Sequence, residues 1–236
     1  MTDPTPLWDF DDPAGSEQRL RAAADLAEGA DRLVLLTQVA RALGLQERYG
    51  EAHALLDDLT LNDDEVATRV SLERGRLIRS AGDPEAARPH FDAAERSAAE
   101  AGLDVLRIDA IHMQALVADP SDRLAINDRA LEIVAQSSDP AARDWDASLL
   151  TNIGMVHADA EDFATALAVF EQALAARERQ GDPERIRVAR WMVAWALRNL
   201  GHTADALTMQ REIKAELDAA GRTDPYVDEE LALLTS

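Results

Sequence analysis

One spacing recurs four times along this chain and limits the folds open to it. A small residue is followed twelve positions later by alanine, and then by two further positions after four and seven residues. The four sets are Ala40, Ala52, Leu56 and Leu59; Gly75, Ala87, Phe91 and Ala94; Gly154, Ala166, Phe170 and Ala173; and Ala194, Ala206, Gln210 and Ile213. A repeat every 35 to 40 residues indicates stacked two-helix units, because one unit alone cannot bury its apolar face.

The third of these sets shows why the spacing matters. Gly154 and Ala166 have almost no side chain, so two helices can approach closely where they cross, while Phe170 fills the space beside that crossing. The positions that carry the pattern are Leu150, Ile153, Gly154, Phe163, Ala166, Phe170, Ala173 and Leu174. In them the chain resembles the tetratricopeptide repeat family, and the resemblance extends over residues 33–220.

The family resemblance implies an all-α fold, a right-handed α-solenoid of about five helical hairpins with an N-terminal capping helix and a short C-terminal capping helix. One unit departs from the pattern. Counting from Ile111, the alanine position falls on Arg123 and the aromatic position on Asn127, and Ala130 alone keeps its place. The spacing therefore leaves the helix pairing of that unit open.

Proline and glycine mark the ends of the helices. Seven of the nine prolines follow aspartate, which can cap a helix start, and proline fits the first helical position. Glycines mark helix ends in the complementary way. We predict a helix over 13–28, hairpins over 32–59, 64–101, 104–136, 140–180 and 183–220, and a last helix over 225–234. Residues 1–30 form an extension and capping helix, with Trp8 and Phe10 packing on the first helix, and residues 31–236 form one continuous solenoid domain.

Composition narrows the class of protein. There is no cysteine, so disulfides and thiolate sites are excluded. No apolar run approaches the ~20 residues that span a bilayer, and the start lacks a basic flank and an apolar core. We expect a soluble cytoplasmic protein without membrane attachment. Asp and Glu outnumber Lys and Arg by 45 to 24, and a net charge of −21 repels phosphate backbones, so nucleic acid is not an expected partner.

A positive surface is the main candidate for binding. The family resemblance implies that the first helix of each hairpin lines a concave groove. In the helix from Asp64, residues advance by about 100°, which places Arg69, Arg76 and Arg79 together, opposite the apolar face. In the repeat alignment Arg41, Arg76, His112, Met155 and Trp195 occupy equivalent places, one in each unit. The alignment therefore predicts a strip of side chains across the repeats.

The fifth unit adds an aromatic element. Trp191 and Trp195 lie one helical turn apart, on the side opposite the core stripe, with Arg198 beside them. Indoles make amphipathic contacts, and an arginine can hold a carboxylate with a forked pair of hydrogen bonds. The alternative is that the last helix, around Tyr226, covers the tryptophans as a cap.

These side chains define the predicted groove, whose residues are Arg41, Arg69, Arg76, Arg79, His112, Asn152, Trp191, Trp195 and Arg198. It suits an acidic peptide or a C-terminal carboxylate. Some family members clamp such termini with lysine and asparagine; here Asn152 matches in kind, but arginines replace the lysines. The alternative for each arginine is a solvated side chain paired with a helix neighbour, such as Arg69 with Glu73.

Catalysis has little support in the sequence. The spacing of zinc ligands, a phosphate-binding glycine loop and a nucleophile turn are all missing, so we predict no catalytic residue, no metal and no cofactor. His112 with Asp109 could form a base and its orienting partner, although a satisfied histidine is the simpler interpretation.

Three functions remain open. The first is a non-enzymatic adaptor that binds a protein or peptide partner, acidic in character, in the groove. The second is a self-associating structural or scaffold module, such as a homodimer, that buries Trp191 and Trp195. The third is a peptide-sensing regulator without a DNA-binding domain of its own, because the first thirty residues are too short and too acidic to supply one.

Overall fold

Helices account for all the regular structure in the part of the chain that the computed structural model describes, residues 4–235. They divide into two compact units, Met1–Asp119 and Pro120–Ser236. After a short 3₁₀ turn at Thr5–Leu7, the first unit contains α1 (Pro13–Leu26), α2 (Gly29–Leu45), α3 (Tyr49–Asp57), α4 (Asp64–Ser80), α5 (Pro84–Ala101) and α6 (Asp104–Val117). Within it α1 packs on α2, α4 packs on α2 and α5, and α6 packs on α5 and α4.

The second unit repeats this arrangement of neighbouring helices. It contains α7 (Arg123–Gln136), α8 (Pro140–Arg143), α9 (Asp146–Asp159), α10 (Phe163–Gln180), α11 (Pro183–Asn199), α12 (Thr203–Ala219) and α13 (Pro225–Thr235). From α9 onward each helix packs on the next, α7 packs on α9, and α13 also contacts α11. The predicted all-α solenoid fold, with capping helices at both ends, is confirmed, and α1 and α13 are those caps.

The Asp–Pro pairs after the first open helices as predicted, with one exception. Asp12 and Asp83 each accept a hydrogen bond at 2.9 Å, from the backbone N–H of Gly15 and Ala86 respectively, and each precedes a proline that opens a helix. Asp119 and Pro120 open no helix, because α7 begins three residues later at Arg123. A proline after aspartate permits a helix start but does not compel one.

The helix ends and hairpin limits also follow the predictions closely. Gly102 and Gly181 end α5 and α10 in the left-handed region, with φ of +67° and +78°, which a residue with a Cβ rarely adopts. Two hairpins differ from expectation. The hairpin at 140–180 begins with a single turn, α8, before α9, and the hairpin at 104–136 is divided, with α6 in the first unit and α7 in the second.

The repeated spacing corresponds to one packing contact, present in both units. A Cβ built on Gly75 would lie 2.4 Å from Cε1 of Phe91, and a Cβ on Gly154 would lie 2.4 Å from Cε1 of Phe170. The phenylalanine ring therefore occupies the volume that a side chain at the glycine would need. Where the small residue is alanine, the partner position is not aromatic: it is Leu56 after Ala40 and Gln210 after Ala194.

No helix between residues 4 and 235 is both long enough and apolar enough to cross a membrane. Within the same range, no three His, Asp or Glu side chains come together in a way that could hold a metal ion.

Candidate functional site

Three helices of the first unit, α2, α4 and α6, enclose a small polar cleft of about 180 Å³. We call it the arginine cleft. Its lining residues are Arg41, Gly44, Leu45, Glu73, Arg76, Leu77, Arg79, Ser80 and Met113. Three arginines of the predicted groove, Arg41, Arg76 and Arg79, thus line one cleft. Arg69 and His112 are not part of its lining.

A buried ion-pair network forms the inner wall of the arginine cleft. Arg76 donates from Nη1 to Oε1 of Glu73 and from Nη2 to Oδ1 of Asp109, both at 2.5 Å. The Glu73 side chain is 2% exposed, and those of Arg76 and Asp109 are 14% and 13% exposed. Burial opposes the charged form of Asp109, but Arg76 and Arg41 outweigh it, so the pKa of Asp109 lies below its ordinary value.

Both terminal nitrogens of Arg76 are therefore bound to carboxylates of the protein itself. Burial alone would lower its pKa, yet the charges of Asp109 and Glu73 raise the pKa of Arg76 above its usual value. A guanidinium held between two carboxylates has little capacity left for an external anion. It instead fixes the orientation of Glu73, because it binds Oε1 and leaves Oε2 on the other side of the carboxylate.

The two other arginines of the cleft, Arg41 and Arg79, have no carboxylate partner of this kind in the described part of the chain. Among residues 4–235, the side chains of Arg41 and Arg79 form no ion pair. The Arg41 guanidinium lies 5.7 Å from the ring centroid of Trp8 and 5.6 Å from that of Phe10, which stack on each other. Burial, followed by the positive charge of Arg76, lowers the pKa of Arg41. The charges of Glu73 and Asp109 oppose this lowering of the Arg41 pKa but do not cancel it.

The cleft also contains an acceptor without a donor. Oε2 of Glu73 is buried and has no hydrogen-bond partner among residues 4–235. Leaving a buried carboxylate oxygen unpaired is unfavourable by about 1–3 kcal/mol. The arginine cleft thus combines Arg41 and the exposed Arg79, neither of which forms an ion pair within residues 4–235, with one acceptor that lacks a donor.

The N-terminal segment reaches this cleft from one side. Trp8 donates from Nε1 to Oε1 of Gln38 at 3.2 Å, and its ring is part of the apolar cluster around α2. The side chains of Trp8 and Phe10 contact α2 through Gln38 and Arg41. The same segment is also bound to α1, where Ser16 donates to the carbonyl of Asp9 at 2.8 Å.

Arg69 and His112 lie beside the cleft and are occupied by other partners. Arg69 pairs with a helix neighbour, as in the alternative interpretation, but the partner is Glu65 at 2.8 Å and not Glu73. Burial, opposed by Asp109 and reinforced by Arg76, Arg79 and Arg41, lowers the pKa of His112. Asp109 binds Arg76, so the arrangement at His112 is that of a buried polar network.

In the second unit the predicted residues mostly contact one another or the core. Trp195 packs edge-on against Phe163, with centroids 5.4 Å apart, and lies 6.4 Å from Phe170, so it faces the core between α10 and α11. The expectation that it projects away from the core is wrong. Trp191 stacks on Trp195 at 6.2 Å and meets Tyr226 of α13 edge-on at 6.2 Å.

The two polar residues predicted in this unit also have internal partners. Both nitrogens of the Arg198 fork donate to Glu230 of α13, at 2.7 and 2.9 Å, and the Glu230 side chain is 6% exposed. Asn152 donates to Oδ1 of Asn127 at 3.4 Å. Arg198 therefore attaches the C-terminal helix α13 to α11, and its guanidinium is occupied by an internal carboxylate.

Comparison with known proteins identifies the repeat. A model of the tetratricopeptide repeat family matches residues 145–214, which cover α9 to α12. No curated protein matches the chain in sequence. The segment from α9 to α12 therefore consists of tetratricopeptide-like repeats.

Solved structures show the same fold across both units. BtubC from P. vanneervenii is 16% identical, with 95% of each chain covered and a TM-score of 0.66. The apo form of the quorum sensor NprR from B. thuringiensis is 14% identical and covers 96% of this chain and 64% of its own, with a TM-score of 0.63. NprR in complex with its cognate peptide NprX is 13% identical, with 96% and 66% covered and a TM-score of 0.59.

The tetratricopeptide register explains which side chains meet. The residue after each small crossing residue is equivalent from unit to unit: Arg41 follows Ala40, and Arg76 follows Gly75. Both line the arginine cleft. In the second unit the equivalent residues Met155 and Trp195 belong to one apolar cluster. The same register thus gives a polar cleft in one unit and an apolar surface in the other.

Sequence reasoning missed the acidic half of the arginine cleft. Glu73 and Asp109 were considered only as a helix neighbour of Arg69 and as a partner of His112. One signal was present, because Glu73 precedes Arg76 by three residues and therefore shares its side of α4.

Proposed function

We propose that this tetratricopeptide-like protein is an interaction module that binds a peptide and holds one carboxylate of it in the arginine cleft. The observation that carries the proposal is that Arg41 and the exposed Arg79 form no ion pair among the described residues, beside the unpaired Oε2 of Glu73. Two cations suit a carboxylate, and the lone acceptor suits an N–H group close to it. The end of a peptide offers both, since its last amide N–H is two bonds from the carboxylate carbon.

The fold supports a peptide as the class of partner, and the charges of the arginine cleft support a carboxylate as the group that is bound. NprR, which has the same fold, has a cognate peptide. The cluster of Arg41, Arg69, Arg76 and Arg79 contains three carboxylates, those of Glu65, Glu73 and Asp109. Since four positive charges face three negative ones, the cluster accommodates one added carboxylate better than a run of them. The proposed ligand is therefore narrower than the acidic peptide that the sequence alone favours.

Self-association is the weaker alternative. It depends on Trp191 and Trp195 being free to bury against another molecule, and in the structure Trp195 faces Phe163 while Trp191 packs beside Tyr226. These contacts favour a peptide partner in the first unit over a second copy of the chain.

Three small probes test the proposal. N-acetylalanine carries a carboxylate and an adjacent amide N–H, N-acetylalanine amide lacks the carboxylate, and N-acetyl-N-methylalanine lacks the N–H. The indole N–H signal of Trp8, whose ring covers Arg41, reports occupancy in an NMR titration. We expect only N-acetylalanine to shift this signal at millimolar concentration, because each of the other probes leaves one side of the cleft unpaired.

A matched pair of variants gives the control. Arg79→Gln should weaken N-acetylalanine binding on the order of tenfold, because a charge-assisted hydrogen bond is lost. Arg74→Gln alters another arginine of α4, one that pairs with Asp57 at 2.5 Å outside the cleft, and should leave binding unchanged. Equal binding of the acid and the amide, or equal loss in both variants, would show that the arginine cleft is not a carboxylate site.

A further inference from the structure

A second cleft lies in the other unit and has a different chemistry. It has a volume of about 350 Å³, lies between α11, α12 and α13, and is lined mainly by apolar groups. We call it the tryptophan cleft. Its lining residues are Arg187, Val188, Trp191, Met192, Ile213, Asp224, Tyr226 and Val227. Clefts that hold small ligands or single side chains begin at about 300 Å³, so this one is large enough for such a group.

One face of α11 supplies the floor of the tryptophan cleft. Val188, Trp191, Met192 and Trp195 follow the spacing of an apolar helix stripe, distinct from the buried stripe of Ala189 and Val193. Phe163 and Phe170 of α10 cover the Trp195 end. The other end is open, because Val188 is 50% exposed, and Tyr226, at the edge of the cleft, is 66% exposed.

Two buried donors at this cleft have no acceptor. Nε1 of Trp191 and Nε of Arg187 are buried and lack a hydrogen-bond partner among residues 4–235. The remainder of the Arg187 fork is engaged, because Nη2 donates to Glu184. Each unpaired buried N–H is unfavourable by about 1–3 kcal/mol, and a tryptophan indole in a protein usually finds a partner. The cleft therefore lacks an acceptor oxygen.

The charges around the cleft indicate what kind of oxygen fits. Arg187 and Arg222 both pair with Glu184, and Asp224 lies in the lining. Two positive and two negative side chains leave no net charge, unlike the arginine cleft. A neutral carbonyl meets the need of the two N–H donors without adding an uncompensated charge.

A neighbouring cleft adjoins the tryptophan cleft along α11, and its lining also contains Thr151, Arg177, Glu184 and Arg185. It has a volume of about 200 Å³ and shares Val188 and Met192 with the tryptophan cleft. Two adjoining clefts that share a wall suit successive residues of an extended chain better than one compact molecule.

We propose that the tryptophan cleft is a docking site for an extended, uncharged peptide segment, which places a large aliphatic or aromatic side chain in the cleft and a backbone carbonyl at the indole N–H of Trp191. This site is independent of the arginine cleft, because it shares no residue with it and selects apolar rather than charged groups.

The test uses blocked amino acids as probes. Acetyl-leucine N-methylamide offers the side chain and the carbonyls, acetyl-glycine N-methylamide lacks the side chain, and acetyl-leucine carries a free carboxylate. The ¹³C-methyl signal of Met192, which lines both clefts, reports binding by NMR. We expect the leucine methylamide to bind with a dissociation constant on the order of millimolar, and at least tenfold more tightly than the glycine methylamide.

Variants separate the two contacts. Val188→Asp places a charge at the half-exposed mouth and should weaken binding at least tenfold, whereas Val188→Thr keeps the shape and should have a smaller effect. Trp191→Phe removes the donor but keeps a ring, and about fivefold weaker binding is expected for one lost hydrogen bond. Leu26→Asp makes the same charge change at an exposed leucine outside the cleft and should change nothing.

Four results would overturn the proposal. The first is an equal Met192 shift with the leucine and glycine methylamides. The second is unchanged binding in Val188→Asp. The third is binding of acetyl-leucine more than tenfold tighter than its methylamide, which would make the ligand a carboxylate. The fourth is a Met192 shift that depends on protein concentration alone and accompanies a doubled mass in light scattering, since a second copy would then occupy the cleft.

Discussion

At the scale of single residues, the glycine at two of the helix crossings, Gly75 and Gly154, is required by the phenylalanine ring that faces it. A Cβ on Gly154 would lie 2.4 Å from Cε1, 2.6 Å from Cδ1 and 3.0 Å from Cζ of Phe170. Gly154→Ala should lower the free energy of unfolding by about 1–3 kcal/mol, because overpacking outweighs the better helix propensity of alanine. Urea denaturation measures this change.

A control and a rescue follow from other positions in the chain. Gly50 lies in α3 with nothing within 4 Å of its built Cβ, so Gly50→Ala should be neutral or stabilising by up to about 1 kcal/mol. Adding Phe170→Leu to Gly154→Ala copies the pairing of Ala40 with Leu56 and should restore part of the loss. If Gly154→Ala behaved like Gly50→Ala, the crossing would not be as close as the structure shows.

Gln210 is a second residue whose surroundings predict a measurable effect. It is fully buried, and neither Oε1 nor Nε2 has a partner among residues 4–235. Gln210→Met keeps the length of the side chain and removes both unpaired groups, so it should stabilise the protein by about 1–2 kcal/mol in urea denaturation. Gln38 is the matched control, because it is buried but accepts from Trp8, and Gln38→Met should destabilise.

His112 predicts a dependence of stability on pH. Burial and the charges of Arg76, Arg79 and Arg41 outweigh Asp109 and lower the pKa of His112 in the folded protein. Below the unfolded value of about 6.5 the unfolded chain then binds more protons than the folded chain, so stability falls as the pH falls.

The measurement is the free energy of unfolding between about pH 7.5 and pH 5. In His112→Gln the decline toward low pH should be smaller than in the unchanged protein. It should not vanish, because burial and Arg74 also lower the pKa of His90. Identical pH profiles in the two proteins would mean that His112 is solvated and titrates normally.

At the scale of helices, α13 is attached by one buried ion pair, by a more exposed pair between Lys214 and Asp228 at 3.1 Å, and by an apolar contact. Arg198 of α11 grips Glu230 with both nitrogens, and Val227 joins the apolar cluster of Ile213 and Leu217. Arg198→Met should reduce stability by about 2–4 kcal/mol, because it leaves the buried Glu230 carboxylate unpaired. Replacing both Arg198 and Glu230 with methionine should reduce the stability less than Arg198→Met alone, because no buried charge is then left unpaired.

An exposed ion pair, Arg179 with Asp146, is the control for the buried pair of Arg198 and Glu230. Arg179 pairs with Asp146, but its side chain is 64% exposed, so Arg179→Met should change the free energy of unfolding by less than about 1 kcal/mol. Equal effects of Arg198→Met and Arg179→Met in urea denaturation would argue against a tightly docked α13.

Helix limits could be predicted from the sequence because the signals that set them are local. An aspartate cap such as Asp83, or a terminal glycine such as Gly102, acts within one turn of the chain. Ion pairs do not have this property. Glu230 lies 32 residues after Arg198, and nothing in the spacing distinguishes it from the other carboxylates of an acidic chain. This is why Arg198 was assigned to a binding groove and not to the cap.

At the scale of the whole molecule, the arginine cleft is a small positive site on a chain with a net charge of −21. The long-range field therefore opposes the approach of any polyanion. Acetyl-Asp-Asp-Asp-Ala should bind more weakly than acetyl-Ser-Ser-Ser-Ala at low salt, although both present the same terminal residue. The two affinities should converge near 0.3 M salt, where charges more than about 6 Å apart are screened.

Titrations of the Trp8 indole signal at both salt concentrations make this comparison. Tighter binding of the aspartate probe at low salt would restore the acidic peptide that the sequence alone favours. It would also mean that further cations outside the arginine cleft take part.

The repeat register indicated which backbone positions meet but not how their side chains divide between internal partners and ligand. The alignment placed Arg41 beside Arg76, and both line one cleft. Which arginine is available to a ligand depends on where Glu73 and Asp109 form their ion pairs. Those pairs depend on side-chain rotamers, which the spacing of the repeats does not encode.

The glycine and phenylalanine of the crossing also restrict the order in which these hairpins can evolve. Enlarging the glycine first passes through a clash with the ring, whereas shrinking the ring first leaves only a small cavity. A lineage that moves from the pairing of Gly75 with Phe91 to that of Ala40 with Leu56 should therefore lose the aromatic residue before it gains the methyl group. Ancestral sequences should contain the glycine–leucine intermediate far more often than the alanine–phenylalanine one.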